Sequence, residues 1–449
     1  MSNEQVLGTK KIWKLCIMMG LPCVLAQLVN LLYNIVDRIY IGNMAIVGAN
    51  ALAGLGLCAP IITLISAFAS FVGGGGAPLA AKALGEGDKE KAHRILGNGF
   101  SLLIIFSLVL MILFYGIKKP LLYAIGASSN TFFYADDYLS IYLIGTFFVL
   151  ISVGLNTFIT AQGKSTIAMI SVLIGAILNI ILDPLFIFIF DLGIKGAAIA
   201  TILSQMASAS FVLGFLFSKK ATLRIRIVYM KLNPTILLGI LALGVSPFVM
   251  SATESLIGFV LNKGLQDYGG DIYVSLLTVL QSVMMLVSVP ITGFTQGVTP
   301  IISYNFGAKN IGRLKEAVKL NLLVCFFFTS IFTVIVMVFP KSFGMMFSKD
   351  QELISLCGKY LPIFMAGMLI FGIQRACQTA FIALSEAKIS LFIALLRKVI
   401  LLVPLALILP IYFGVSGIYY AEPIADVLAA ITCGLLFLFR FKSIIAKID

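Results

Sequence analysis

The sequence predicts an all-α membrane protein of about twelve transmembrane helices, arranged as two pseudo-symmetric six-helix lobes of a V-shaped transporter type. Three observations carry that prediction. Apolar runs of spanning length recur from end to end, basic residues collect on one side of them, and the second half of the chain repeats the first.

The apolar runs follow from composition. The 449 residues are 60% hydrophobic and only 11% charged, with a mean hydropathy of +1.07. Soluble domains carry about 25% charged residues, so this chain cannot cover its apolar surface in water and its solvent must be largely lipid. A helix needs about 20 apolar residues to cross the hydrocarbon core. Runs of that length lie at approximately 12–41, 51–81, 95–117, 138–162, 165–190, 196–217, 235–261, 272–304, 317–339, 360–384, 387–412 and 415–439. Lys10, Lys11 and Lys14 precede a first segment that is far longer than a signal-peptide core and carries Asn, Asp and Arg, so it reads as a retained first span.

The charge bias tests the helix count independently. Placing the amino terminus and every even-to-odd connection on the cytoplasmic side puts about 23 Lys and Arg there against about 7 opposite. Arg397 and Lys398 are counted with the cytoplasmic loops, and Arg38 and Arg375 stay inside spans. Lys349 and Lys447 enter the count on the outer and the cytoplasmic side respectively. The expected location is therefore the cell membrane, with both termini cytoplasmic. The net charge of +13 then belongs against an anionic inner leaflet rather than nucleic acid.

The repeat is visible in three places. Pro78 to Gly85 is echoed by Pro300 to Gly307, Tyr138-Leu139 by Tyr360-Leu361, and Gly193-Ile194-Lys195-Gly196 by Gly414-Val415-Ser416-Gly417, a shift of about 222 residues. Pro22 matches Pro247. An even number of spans per copy keeps both in the same sense, a parallel repeat that puts a substrate path between lobes. The expected division is 1–217, a basic connector at 218–233, and 234–449.

Polar residues inside spans locate function, because hydrocarbon offers them no partner. Gln27, Asn30, Asn34 and Asp37 recur at steps of three and four on one face of the first span, with Tyr33 at its border. Asn179 and Asp183 pair in the fifth; Thr201, Ser204, Gln205 and Ser208 mark the sixth; Ser152, Asn156 and Thr160 mark the fourth. Hydroxyls of this kind commonly bond back to their own helix or glue helices together. Two carboxylates do not fit that reading, since each costs ~2.5–3.5 kcal/mol at mid-membrane. Asp183 has no basic neighbour in its span, and Arg38 does not face Asp37 on a helix. Such a pair exchanges a proton or holds a monovalent cation with help from Asn179 and Thr201. Pro184 removes the hydrogen bond to the Ile180 carbonyl and frees a further oxygen there.

The second half departs chemically from the first. Asn262 stands where the repeat would put Asp37, and Glu254, Arg375, Glu422 and Asp426 lie within spans. They read as a charge network in which Arg375 pairs with one or more of the acids, or as a second coupling site.

Several signals point away from other chemistry. Gln162-Gly163-Lys164-Ser165-Thr166 resembles the end of a phosphate loop, but Phe158 stands where the motif needs Gly. Gly73 to Gly76 has no following Lys-Ser/Thr, so close helix packing is expected. Seven cysteines without a CxxC pair, and a lone His93 in a charged loop, give no metal site. With no nucleotide site, an ion gradient must drive transport; no cofactor is expected beyond H+ or Na+ as coupling ion.

Pro22 to Asp37 with Gly42, the run Leu178-Asn179-Ile180-Ile181-Leu182-Asp183-Pro184, and Gly193 to Ala198 resemble the multidrug and toxin extrusion (MATE) family, nearest its DinF-like prokaryotic branch. The resemblance extends over essentially the whole chain. It implies a secondary active exporter, not an enzyme, that antiports drugs and toxins against H+ or Na+ by alternating access, acting as a monomer. It implies a first-lobe cation site at Asp37, Asn179, Asp183 and Thr201, where Na+ is an alternative to H+, and a substrate surface at Asn30, Tyr33 and Asn156 beside Gln27 and Asn34. Another branch uses second-lobe acids; Glu254 resembles one, but Arg375 lies near where its partner acid is expected. The alternative is a flippase for lipid-linked oligosaccharides or lipid II in the same superfamily, which needs a cationic cavity for pyrophosphate.

Overall fold

A computed structural model describes residues 3–44, 47–347 and 350–446; Lys349 and Lys447 of the charge count lie outside them. Among these residues ten helices are long and apolar enough to cross a membrane, and two bent pairs supply one span each. In chain order the spans are Ile12–Gly42, Gly48–Gly85, Lys89–Ile125, Ser129–Ile144 with Thr146–Ala161, Ser165–Pro184 continued by Leu185–Ile189, and Gly193–Phe217. The second half supplies Pro234–Gly269, Asp271–Gly307, Ile311–Val338, Gln351–Met365 with Met368–Ala383, Ala387–Leu395 continued through Leu396–Leu402 to Phe413, and Val415–Ile445. Each predicted apolar run falls on one of these twelve. The bends lie in the fourth and tenth spans, which are repeat partners, at 59° and 41°.

The helices are longer than a bilayer requires, and their outward faces are apolar. Ile112, Ile181, Leu238 and Ile411 are each more than half exposed, as expected where lipid is the solvent and only backbone groups need internal satisfaction. Lys118 and Lys195, on the side away from the chain ends, are paired with Asp136 at 2.8 Å and Asp137 at 3.4 Å.

The repeats explain where the two halves touch. A Cβ on Gly85 would stand 2.0 Å from the Tyr304 carbonyl oxygen, and one on Gly307 would stand 2.1 Å from that of Lys82. The two echoed segments therefore pack backbone to backbone on the side that holds the termini, and glycine is what permits it. Gly73 to Gly76 continues the contact. Gly75 lies against the backbone of Ile240 and Gly244, and Gly74 against Pro247, which is the close packing expected of that run. Gly293 and Gly297 do the same for the first span, against Val24 and Met19.

Apolar burial follows this division. One cluster fills the first half and takes in Ile240 of the second, with Ile236, Leu237, Leu241 and Tyr304 packed against it. Another, from Ile257 to Ala425, lies wholly within the second half. The third joins Leu7, Ile12, Leu15 and Met19 to Val298, Ile302, Phe381 and Phe437. Cross-lobe packing thus belongs to the terminal side, and a cleft remains above it.

The connector is docked rather than loose. Asn98 donates to the carbonyls of Tyr229 and Lys231 and accepts from the Asn233 amide at 2.7 Å. Gln162 accepts from the amides of Thr222 and Leu223 at 2.7 and 3.0 Å, so the phosphate-loop look-alike ends in a structural cap. His93, expected as a solvated loop residue, instead sits half-buried in the first turns of the third span, 5.9 Å from the Tyr229 ring.

Candidate functional site

Two polar sites emerge, about ten residues apart along the first span, roughly 15 Å at 1.5 Å per residue. The first is the carboxyl pair. Asp183 is fully buried, Asp37 is 8% exposed and Asn179 is 2% exposed. The i,i+4 spacing of the fifth span lets Asn179 donate to Asp183 Oδ1 at 3.0 Å. The first and fifth spans pack along their length, which brings the Asp37 and Asp183 carboxyls within hydrogen-bonding reach of one another. Among the described residues no ion pair joins either acid to a Lys or Arg. Asp37 Oδ1, Asp183 Oδ2 and Asn179 Oδ1 are buried with no partner. Buried oxygens are normally satisfied, and three bare ones around two acids are chemically able to take up a proton or coordinate a cation.

The surroundings are tyrosines. Tyr33 borders both acids, and Tyr138 lies near both Asp37 and Thr201. Thr201 is thus near the pair, through Tyr138. Just beyond Asp183-Pro184 the fifth span widens into a single π-turn, Leu185–Ile189, a distortion that often accompanies function.

The second site is a cavity of about 590 Å³ between the lobes, within the range of small-molecule pockets. Its first-lobe wall is neutral, with Gln27, Thr63, Ser70, Thr157 and Thr160. Its second-lobe wall holds Glu254, Arg375, Arg397, Lys398 and Glu422. Gln27 donates across the cleft to Gln296 at 3.0 Å.

Of the substrate-surface residues expected from the sequence, Gln27 lines this cavity. Asn30 and Asn34 are exposed higher on the first span, with the Asn34 amide on the Asn30 carbonyl at 2.6 Å. Tyr33 belongs with the carboxyl pair. Asn156 is turned between the fourth and fifth spans, donating to the Ala168 carbonyl at 2.8 Å and to Ser171 at 2.5 Å.

The charge network differs from expectation in its cations. Arg375 pairs with none of the acids; it donates to Thr292 at 3.1 Å. Arg397 takes that role, with its Nε on Asp426 at 2.5 Å and Nη2 on Glu422 at 3.1 Å, its guanidinium 4.8 Å from the Phe371 ring. Lys398 is bonded to Glu254. Arg397 and Lys398 are accordingly not loop residues. They lie on a π-segment, Leu396–Leu402, inside the eleventh span. They stand about ten residues, roughly 15 Å, past the span's start at Ala387, and not at its expected cytoplasmic end. Moving them leaves the charge bias between the two sides intact.

The family model MatE matches this chain twice, over residues 22–185 and again over 247–408. The chain belongs to the MatE family. Its two matched stretches are the two halves of the repeat, and a MatE protein is a transporter rather than an enzyme. Among relatives, it is 26% identical over 432 residues to the multidrug export protein MepA of Staphylococcus haemolyticus strain JCSC1435, covering 96% of this chain and 94% of that one. Among solved structures, a MATE protein in its bent conformation superposes with a TM-score of 0.93 at 24% identity, over 100% of this chain and 99% of the other. An outward-facing multidrug resistance MATE transporter of the MOP superfamily gives 0.91 at 24% identity, with 99% of each chain covered. These fix the fold of this MatE protein as a V-shaped pair of lobes, the class read from the sequence.

Proposed function

We propose that this MatE protein is a multidrug exporter that moves amphiphilic organic compounds, cations among them, against H+ or Na+ by alternating access. One observation carries the reading: two buried carboxyls lie side by side, and among the described residues no Lys or Arg forms an ion pair with either. Two such groups cannot both stay charged without a proton or cation between them, so their state follows the ion supply. The names of the Staphylococcus relatives supply the substrate class.

The positive-inside assignment makes the terminal side cytoplasmic. The glycine-lined seal then closes the cytoplasmic side, and the interlobe cavity is reached from outside. Ion uptake at Asp37 and Asp183 acts on the cavity through the first span, which carries both Asp37 and Gln27. Cation and substrate occupy separate places, so coupling runs by displacement of that helix rather than by competition in one pocket. Pro22 interrupts the span below Gln27 and gives it a place to bend.

Transport into proteoliposomes tests the reading. An imposed pH gradient, then a sodium gradient, is applied while accumulation of ethidium is followed. Uphill accumulation driven by one of them supports it; equilibration with neither gradient driving accumulation overturns it.

A further inference from the structure

The second-lobe wall of the cavity carries an arginine whose donors are left open. Arg375 has five N–H donors. One reaches Thr292 Oγ1 at 3.1 Å, and Nε is buried with no acceptor. The other two cations of that wall are consumed: Arg397 by Asp426 and Glu422, Lys398 by Glu254. Among the described residues no carboxylate lies within ion-pair distance of Arg375.

An arginine guanidinium stays charged in proteins, and Thr292 takes up only one of its donors. A half-buried, under-bonded fork at the wall of a cavity matches one ligand chemistry best. It suits a planar or tetrahedral anion that accepts two parallel N–H bonds. Apolar contact for the rest of such a ligand is at hand in Met250, Met284 and Phe371.

We infer that Arg375 is an anion-binding subsite of the interlobe cavity, so that preferred substrates are amphiphiles bearing a carboxylate or similar anionic group, zwitterions included. This rests on the proposed exporter function and narrows its substrate class. Thr292 holds the guanidinium in place, and the neutral first-lobe wall faces the remainder of the molecule. The anionic group belongs either to a soluble organic acid or to a lipid headgroup.

Binding of dansyl-tryptophan and of its methyl ester to the full chain in neutral-lipid nanodiscs provides the test. The two probes differ only in the carboxylate, and dansyl fluorescence reports entry into an apolar site. The wild type should bind the acid about tenfold more tightly than the ester, the gain of one bidentate charged contact. Arg375→Gln should erase that preference while ester affinity holds. Should Arg375→Gln yield no folded protein, Arg375→Lys decides, since it keeps the charge but loses the fork; the preference should fall to about threefold or less. Displacement of the bound acid by dihexanoyl phosphatidate supports a lipid headgroup, and displacement by benzoate but not phosphatidate supports a soluble acid. Equal affinity for acid and ester in the wild type, or an undiminished preference in either variant, overturns the subsite. Gradient-driven accumulation of ethidium in the same variants separates the two proposals. If it persists while the acid preference is absent, the subsite fails and the exporter stands.

Discussion

Replacing Arg397 by leucine should be among the most destabilising single changes in the second lobe, and the structure says by how much. The guanidinium is 11% exposed, and it bridges Glu422 at 7% and Asp426 at 1%. At such depth water does not screen the contacts. Asp426 Oδ2 already lacks a partner, so without Arg397 two buried acids lose the cation that bridges them. Removing one member of a buried ion pair costs about 3–5 kcal/mol, most of it the uncompensated charge left behind. Leucine keeps contact with Phe371 but forfeits the cation–π term, ~0.5–2 kcal/mol. The compensated variant R397L/E422L/D426L removes the charges together and should recover most of the loss, since apolar replacement of a whole buried set is often neutral or stabilising by ~1–4 kcal/mol. SDS-driven unfolding in dodecyl maltoside micelles, followed by far-UV circular dichroism, measures both. A loss under about 1 kcal/mol for Arg397→Leu, or a triple variant no more stable than the single one, refutes the reasoning.

Three further outcomes follow from the packing. Gly307→Val adds bulk where a Cβ alone would come to 2.1 Å from the Lys82 carbonyl oxygen, so the terminal-side seal must part; a cysteine placed at Thr299 should then label faster with a membrane-impermeant maleimide applied from that side. Arg313→Ala removes hydrogen bonds to the carbonyls of Leu7 and Lys10 at 3.0 and 2.8 Å, each worth ~1.5–3 kcal/mol from a charged donor, and hydrogen exchange should quicken in the helix Asn3–Thr9. Gly414→Ala forces a side chain onto a backbone at φ 57°, ψ −142°, a region open essentially to glycine alone, and should cost about 1–3 kcal/mol in the same unfolding assay.

The fold was legible because lipid imposes a simple rule. A span must be apolar for about 20 residues, and twelve such runs could be read off directly. The repeat was legible because backbone geometry demands particular residues. Gly193 and Gly414 both take positive φ, at 54° and 57°, while Gly196 and Gly417 each lie against the backbone of the preceding span's end. Glycine is required at all four, so the motif survives in both copies. The carboxyl pair could be found because Asp183 has no basic residue in its span and Arg38 is not on the helix face of Asp37, which leaves two acids with no inexpensive place in hydrocarbon. What sequence could not settle was which acid meets which cation. Arg375 lies on the tenth span, Arg397 and Lys398 on the eleventh, and the choice between them rests on a π-segment that no local residue pattern announces. The same holds for Asn156, whose spacing matches a polar face equally well whether it points to a cavity or to Ser171 of the next helix.

Asp183→Asn is the variant that bears most directly on the mechanism. Asparagine keeps the shape of the side chain and can accept from Asn179, but it can neither gain nor lose a charge. Ethidium flux in proteoliposomes under an imposed pH or sodium gradient is the quantity to measure. The proposed coupling gives uphill accumulation in the wild type and only downhill equilibration in Asp183→Asn. Accumulation against the gradient at the wild-type level in that variant would show that the Asp37–Asp183 pair does not drive transport.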